Sequence, residues 1–255
     1  LGGVIKAMLS SRYGFSLAAL KRMPGALMDS LLPRHCVMCG LPSGDLNLCL
    51  PCRDDLPRNT DCCRQCALPI PFSPGRLCGD CLARPPPWSQ AIAPLLYDFP
   101  VDRLVCRYKF NGSLACGSAL AAELSLAVEE QCKELPALLI PVPLHRGRQF
   151  LRNFNQAELI ARSVGRHVGV KAETGVLRRQ RHTRAQSGLD ARARRRNLRG
   201  AFRLGRRTDT LRRRHVALVD DVLTTGATLA ACTGVLKRAG VKQVSVWVVA
   251  RAPEP

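Results

Sequence analysis

The sequence predicts an α/β protein: a mostly parallel sheet with helices on both faces, preceded by a small cysteine-rich module. Three observations carry that prediction. Two short apolar runs, at 138–145 and 216–219, are of the kind a parallel strand buries on both faces. Each leads through a polar loop into an apolar pattern of helical spacing. Eight of the 13 cysteines fall in four C-x-x-C pairs between Cys36 and Cys81, too close together for a core of their own.

Residues 1–30 are basic and serine-containing, with no acid before Asp29. They have some of the look of a transit peptide but lack the apolar centre of a secretory signal, and read as an extension with one short helix. The cysteine module, a double zinc ribbon at 31–84, follows. Cys36, Cys39, Cys49 and Cys52 form two pairs nine residues apart; Cys63, Cys66, Cys78 and Cys81 form two pairs eleven apart. Each C-x-x-C makes a knuckle that gives two sulfurs to tetrahedral zinc, and two knuckles close a site. With every position filled by protein, such zinc is structural, and the metal supplies folding energy. Sequential pairing gives two zincs, with crossed pairing open and Cys62 a spare neighbour of Cys63. Cysteines used this way suit a reducing, cytoplasmic compartment. Cys106, Cys116, Cys132 and Cys232 lack partners at metal spacing and are expected in the core.

A stiff Arg84-Pro85-Pro86-Pro87 linker ends the module, and a second domain covers 88–255. Residues 91–97 read as a strand and 101–110 as a helix or mixed segment. Lys109, beside Asn111 and Gly112, is a candidate phosphate contact. Residues 114–132 are helical, stopped by Pro136. The apolar run 138–145 then delivers a loop with Arg148 and Arg152 to a helix through Ala157, Ile160 and Val164. Guanidinium binds phosphate oxygens in bidentate fashion, which makes these arginines candidates for a pyrophosphate.

Residues 177–202 are the most basic segment of a chain whose 39 Lys+Arg face 19 Asp+Glu, a formal charge of +20. That excess calls for an anionic partner. Arg181, Arg184, Arg192, Arg194, Arg195 and Arg196 can neutralise nucleic-acid phosphates without reading bases.

Val216 to Val219 forms the next strand, followed by Asp220, Asp221, Val222, Leu223, Thr224, Thr225, Gly226, Ala227 and Thr228. Leu229, Cys232, Leu236 and Ala239 then mark a helix, capped at Gly240. Strand, tight turn and helix start aim backbone N–H groups and a helix dipole at one spot, which suits a phosphate. The two carboxylates suit sugar hydroxyls or magnesium. No lysine follows the glycine as in a Walker loop, and there is no GxGxxG. The last strand covers 243–250, and no run of eighteen apolar residues predicts a membrane span.

The order acid pair, then Thr-Thr-Gly-x-Thr, resembles the phosphoribosyl-pyrophosphate (PRPP) loop of type I phosphoribosyltransferases. In that family the acids hold ribose hydroxyls and the Thr/Gly loop holds the 5′-phosphate. The resemblance implies that residues 220–228 bind PRPP with magnesium, and that Arg148 and Arg152 meet the pyrophosphate. Asp220, Asp221, Arg148 and Arg152 would be the catalytic set. Pro141, Val142, Pro143, Leu144, His145, Arg148, then Arg152, Asn153, Phe154, Asn155, Gln156 are similar to the ComF family of competence and DNA-utilisation proteins. That family joins a cysteine zinc module to a phosphoribosyltransferase-like domain. Asn153 stands where the family string has glycine; asparagine also tolerates left-handed backbone angles.

The family pattern continues through Thr183, Gln186, Leu189 and Asn197, a region that in the transferases is a flap over PRPP. The resemblance covers roughly 30–252. It implies a protein that binds PRPP and serves the uptake or use of external DNA, single-stranded and of low sequence specificity, with a DNA-uptake helicase or channel as partner. Two other readings share the same residues: an active phosphoribosyltransferase in nucleotide salvage, and a zinc-bearing DNA-binding adaptor with a ligand-sensing domain.

Overall fold

The computed structural model describes residues 34–44, 46–70, 76–144, 154–180, 200–205 and 211–253. The chain divides into two compact units, Leu1–Cys52 and Arg53–Pro255. The division does not fall at the proline-rich stretch 84–87: the second cysteine tetrad shares a unit with the sheet.

One local motif occurs in both units. In the first, a bridge joins His35 to Pro42, and Cys36 N–H donates to the Leu41 carbonyl at 2.8 Å. In the second, a bridge joins Cys62 to Pro69, and Cys63 N–H donates to Leu68 at 2.8 Å. Each motif is followed by a short helix carrying the last cysteine of its tetrad, α1 (Leu50–Asp54) with Cys52 and α2 (Gly79–Ala83) with Cys81.

The second unit continues through β1 (Gln90–Ile92), β2 (Leu95–Leu96), α3 (Val101–Phe110), α4 (Leu114–Gln131), β3 (Leu138–Pro141) and α5 (Gln156–Val168). It ends with β4 (Leu177–Arg179), β5 (Phe202–Leu204), β6 (His215–Leu223), α6 (Ala227–Arg238) and β7 (Gln243–Arg251). The sheet order is β1-β7-β6-β3, with β2 also on β7, and every pairing in it is parallel. β4 and β5 form a separate antiparallel ribbon.

β3, β6 and β7 are buried on both faces, as their apolar runs predict. Ile140, Leu218 and Val246 join Leu229, Cys232 and Leu236 of α6 in one cluster. Leu139, Ala217, Val219 and Trp247, of opposite parity, are fully buried on the other side. Glu123 of α4 is buried too, its carboxylate accepting from Arg53 Nε at 2.6 Å and Arg58 Nη1 at 2.5 Å.

Three expectations change. The strand at 91–97 splits in two, because Pro94 has no N–H to give β7; its carbonyl instead accepts from Asn59 N–H at 2.9 Å. β6 does not stop at the acid pair but runs through Asp220 and Asp221, pairing Leu223 with Arg251. Cys116 and Cys232 are buried as expected, whereas Cys106 is exposed and Cys132 half-exposed, each on the solvent side or at the end of its helix. Among the described residues no helix is long and apolar enough to cross a membrane.

Candidate functional site

The eight expected metal ligands gather in two sets, Cys36, Cys39, Cys49, Cys52 and Cys63, Cys66, Cys78, Cys81, with the sulfurs of each set within 4.8 Å of one another. The pairing is sequential, and Cys62 packs against the apolar core instead. Cys39 and Cys49 Sγ lie 3.6 Å apart, as do Cys66 and Cys78.

Titration behaviour fits a metal. Burial raises the Cys63 thiol, but N–H groups of Cys78, Cys66 and Gln65 outweigh it and bring it down to about 7. Burial and the neighbouring Cys63 charge push Cys66 up to about 12. Four sulfurs so close cannot all ionise without a cation, and an all-thiolate tetrahedral set is what zinc takes. The two tetrads fit two structural zinc sites.

The acid pair sits at the carboxyl end of β6, where open α/β sheets bind ligands. Three residues turn the chain into α6, whose N-cap is Gly226 at φ 70, with no side-chain cap. The left-handed angle needs glycine, and so does the space: a Cβ there would lie 2.7 Å from Trp88 Cη2. The uncapped first turn presents its N–H groups beside the exposed Thr224 and Thr225. Asp220 Oδ1 accepts from Asp221 N–H at 2.9 Å. Burial first, and then the Asp221 charge, push Asp220 up to about 7, against the pull of Lys109 and Arg179.

Lys109 is no solvated lysine. It sits in the last turn of α3 with Nζ 3.0 Å from Asp221 Oδ1. Burial works against its charge, but the Asp221 carboxylate outweighs burial and holds the amine above its usual value. Residues 154–156 fix this position. Phe154 packs on Tyr108 with ring centroids 5.6 Å apart. Tyr108 Oη donates to the Gln156 carbonyl at 2.9 Å, and Gln156 Nε2 donates to the Lys109 carbonyl at 3.5 Å. Asn155 caps α5 through Ala157 N–H and ties back to the Val142 carbonyl. The Phe-Asn-Gln string thus holds Lys109 against the acid pair.

Val222, Leu223, Ala227 and Thr228 line the same turn as the expected ligand loop. Arg148, Arg152, Arg181, Arg184, Arg192, Arg194, Arg195 and Arg196 lie outside the described residues. Sequence reasoning missed Arg179, which stacks 5.4 Å over the Phe202 ring and whose charge reaches Asp220. It also missed Trp88 and Arg251, which lie beneath the loop. Beside β3 opens a cavity of about 470 Å³ lined by Pro141, Leu144, Asn155, Arg178, Arg179 and Arg203 among others.

The family model described as a double zinc ribbon domain matches residues 27–82. Over 86% of its length the chain is 34% identical to competence protein F of Haemophilus influenzae, and the match takes in 97% of that protein. It is 35% identical, again over 86% of its length, to DNA utilization protein YhgH of Escherichia coli O157:H7, covering 98% of it. Among solved structures, it is similar to glutamine phosphoribosylpyrophosphate (PRPP) amidotransferase from B. subtilis complexed with ADP and GMP. There the identity is 16% and the TM-score 0.36, over 52% of this chain and 26% of that one.

Proposed function

The chain belongs to the family of competence protein F and the DNA utilization proteins, and from that premise we propose that it binds phosphoribosyl pyrophosphate with magnesium at the turn between β6 and α6, and serves the uptake or use of external DNA. The observation that carries the ligand reading is the joining of an acid pair, Lys109 and an uncapped helix start at one strand end. The helix start and Thr224 to Thr228 take the 5′-phosphate. Asp220 and Asp221 take the ribose hydroxyls. A carboxylate pushed toward protonation by burial and by its neighbour's charge is relieved by a hard divalent cation, so the donor set fits magnesium. Lys109 then exchanges its carboxylate partner for ligand phosphate.

The double variant Asp220→Asn/Asp221→Asn tests this. Loss of two charge-assisted contacts, of roughly 1 kcal/mol each, weakens magnesium-dependent PRPP binding about 30-fold or more in calorimetry. Zinc content stays at wild type. Retained affinity would end the ligand reading.

The DNA part rests on the charge of +20 and on the arginines of the 181–196 segment, which joins β4 to β5 in sequence. Replacing Arg192, Arg194, Arg195 and Arg196 by Gln flattens the salt dependence of single-stranded DNA binding; an unchanged slope removes those residues from the interface. A transferase reading is favoured by one observation, the cavity beside Arg179, which has room for an acceptor. PRPP consumption measured with and without DNA decides it.

A further inference from the structure

The second cysteine site is built into the ligand turn through backbone carbonyls. Four successive carbonyls of its first knuckle each accept a hydrogen bond from the surrounding sheet unit. Arg64 accepts from Ala91 N–H at 3.0 Å, and Gln65 from Trp88 Nε1 at 2.6 Å. Cys66 accepts from Arg251 Nε at 3.0 Å, and Ala67 from Asn59 Nδ2 at 2.9 Å. Gln65 Nε2 also donates to the Trp88 carbonyl at 3.2 Å, so the knuckle and Trp88 hold each other in both directions.

Two of these donors continue to the turn that follows β6. Arg251 Nη1 donates to the Leu223 carbonyl at 3.1 Å, and the same guanidinium bonds the Ala252 carbonyl. Its charge strengthens these bonds, and burial shields them from water. The Trp88 ring fills the space under Gly226. Arg251 and Trp88 are only 3% and 4% exposed. A single guanidinium and a single indole therefore bridge the metal knuckle and the entrance of α6.

We propose that the Cys63/Cys66/Cys78/Cys81 site is the foundation of the ligand turn, with Trp88 and Arg251 as positioning residues that carry the shape of the knuckle to Leu223 and Gly226. Metal held at the second site orders the turn. By thermodynamic reciprocity, a ligand on the turn helps the second site retain its metal. This reciprocal half rests on the PRPP reading above; the ordering of the turn by the knuckle stands without it.

Hydrogen exchange of the peptide covering 222–230, measured on the full chain alongside zinc content, tests the ordering. Arg251→Met removes the bonds to the Cys66, Leu223 and Ala252 carbonyls, and Trp88→Phe removes the indole N–H and the ring atoms under Gly226, each leaving an apolar side chain in place. Both retain two zincs and exchange about tenfold faster than wild type in that peptide. Cys81→Ser loses one zinc and shows the same acceleration, whereas Cys52→Ser loses one zinc and leaves the peptide at the wild-type rate. Wild-type exchange in Cys81→Ser, or equal acceleration in Cys52→Ser, overturns the proposal.

Release of zinc to a chelator reads the reciprocal half. PRPP with magnesium slows release of one of the two zincs in wild type and of neither in Arg251→Met. If PRPP binds in calorimetry but leaves both release rates unchanged, the reciprocal half falls. If PRPP does not bind at all, the ligand reading falls, and the exchange comparison alone decides whether the knuckle orders the turn.

Discussion

The two cysteine tetrads share their local geometry and differ in what surrounds it. Gly40 N–H returns to the Cys36 carbonyl at 3.0 Å, and Ala67 N–H to Cys63 at 2.7 Å. Ser43 N–H meets Arg34 at 2.8 Å, and Ile70 N–H meets Asp61 at 2.8 Å. Gly40 and Ala67 share the left-handed turn, at φ 76 and 55. Among the described residues nothing stands within 4 Å of where a Gly40 Cβ would lie, whereas Ala67 is fully buried in the same apolar cluster as Trp88. The second tetrad accepts an unfavourable backbone angle to place a methyl group in the core. A repeated metal motif can thus be a cornerstone of the sheet unit at its second copy.

The largest expected difference follows from removing the metal. Cys63→Ser and Cys36→Ser each lose one zinc, but Cys63→Ser destabilises the sheet unit by about 4 kcal/mol or more, Cys36→Ser by less than about 1 kcal/mol. Both tryptophans, Trp88 and Trp247, lie in that unit, so denaturant unfolding followed by tryptophan fluorescence reads it selectively. Equal losses would erase the distinction. Glu123→Gln comes next. Leaving the partly exposed Arg53 and Arg58 around a neutral amide costs about 2 kcal/mol in the same assay, because two charge-assisted hydrogen bonds to a buried carboxylate are lost. A loss near zero would mean that the segment before the second tetrad is held by other contacts.

The supported turn is itself costly, which pH exposes. Asp220 has a folded pKa of about 7, raised from its ordinary carboxylate value, so the folded state binds its proton more tightly. Its contribution is present below the unfolded pKa and is lost as pH rises through about 7. Asp220→Asn therefore raises the melting temperature of ligand-free protein by about 2–4 °C at pH 8 and changes it little near pH 4. The reverse order would show that the carboxylate is already stabilised when ionised. The smallest effect belongs to Ala67→Gly. Relief of the left-handed angle and loss of a buried methyl oppose each other, leaving a change within about 1 kcal/mol. Gly40→Ala, with no methyl pocket to fill, only adds strain and is the more harmful of the pair.

Spacing in the sequence sufficed for the eight ligand cysteines, because knuckle geometry is local to a few residues, whereas a crossed pairing stayed open until the fold grouped them. Spacing also sufficed for the β6 turn and α6, whose strand, glycine and helix are contiguous. Lys109 stood out beside its turn, but its pairing carried no such signal: Asp221 lies far along the chain, and only the fold brings them to 3.0 Å. Trp88 and Arg251 were hidden for the same reason. A tryptophan after a proline run and an arginine ending an apolar strand look ordinary until their carbonyl partners are known. The break at Pro94 was legible in principle, since proline gives no ladder donor.

The placement of β7 between β1, β2 and β6 has a consequence for synthesis. The ribosome delivers the cysteines of both tetrads early and the central strand late. Cys66 waits for Arg251, which is 185 residues further on. Contacts across such a span form slowly, because loop closure precedes any gain from them. During that interval the nascent second tetrad carries its thiols without the guanidinium that later binds the Cys66 carbonyl. It is therefore most exposed to oxidation or to the wrong metal before the chain is finished.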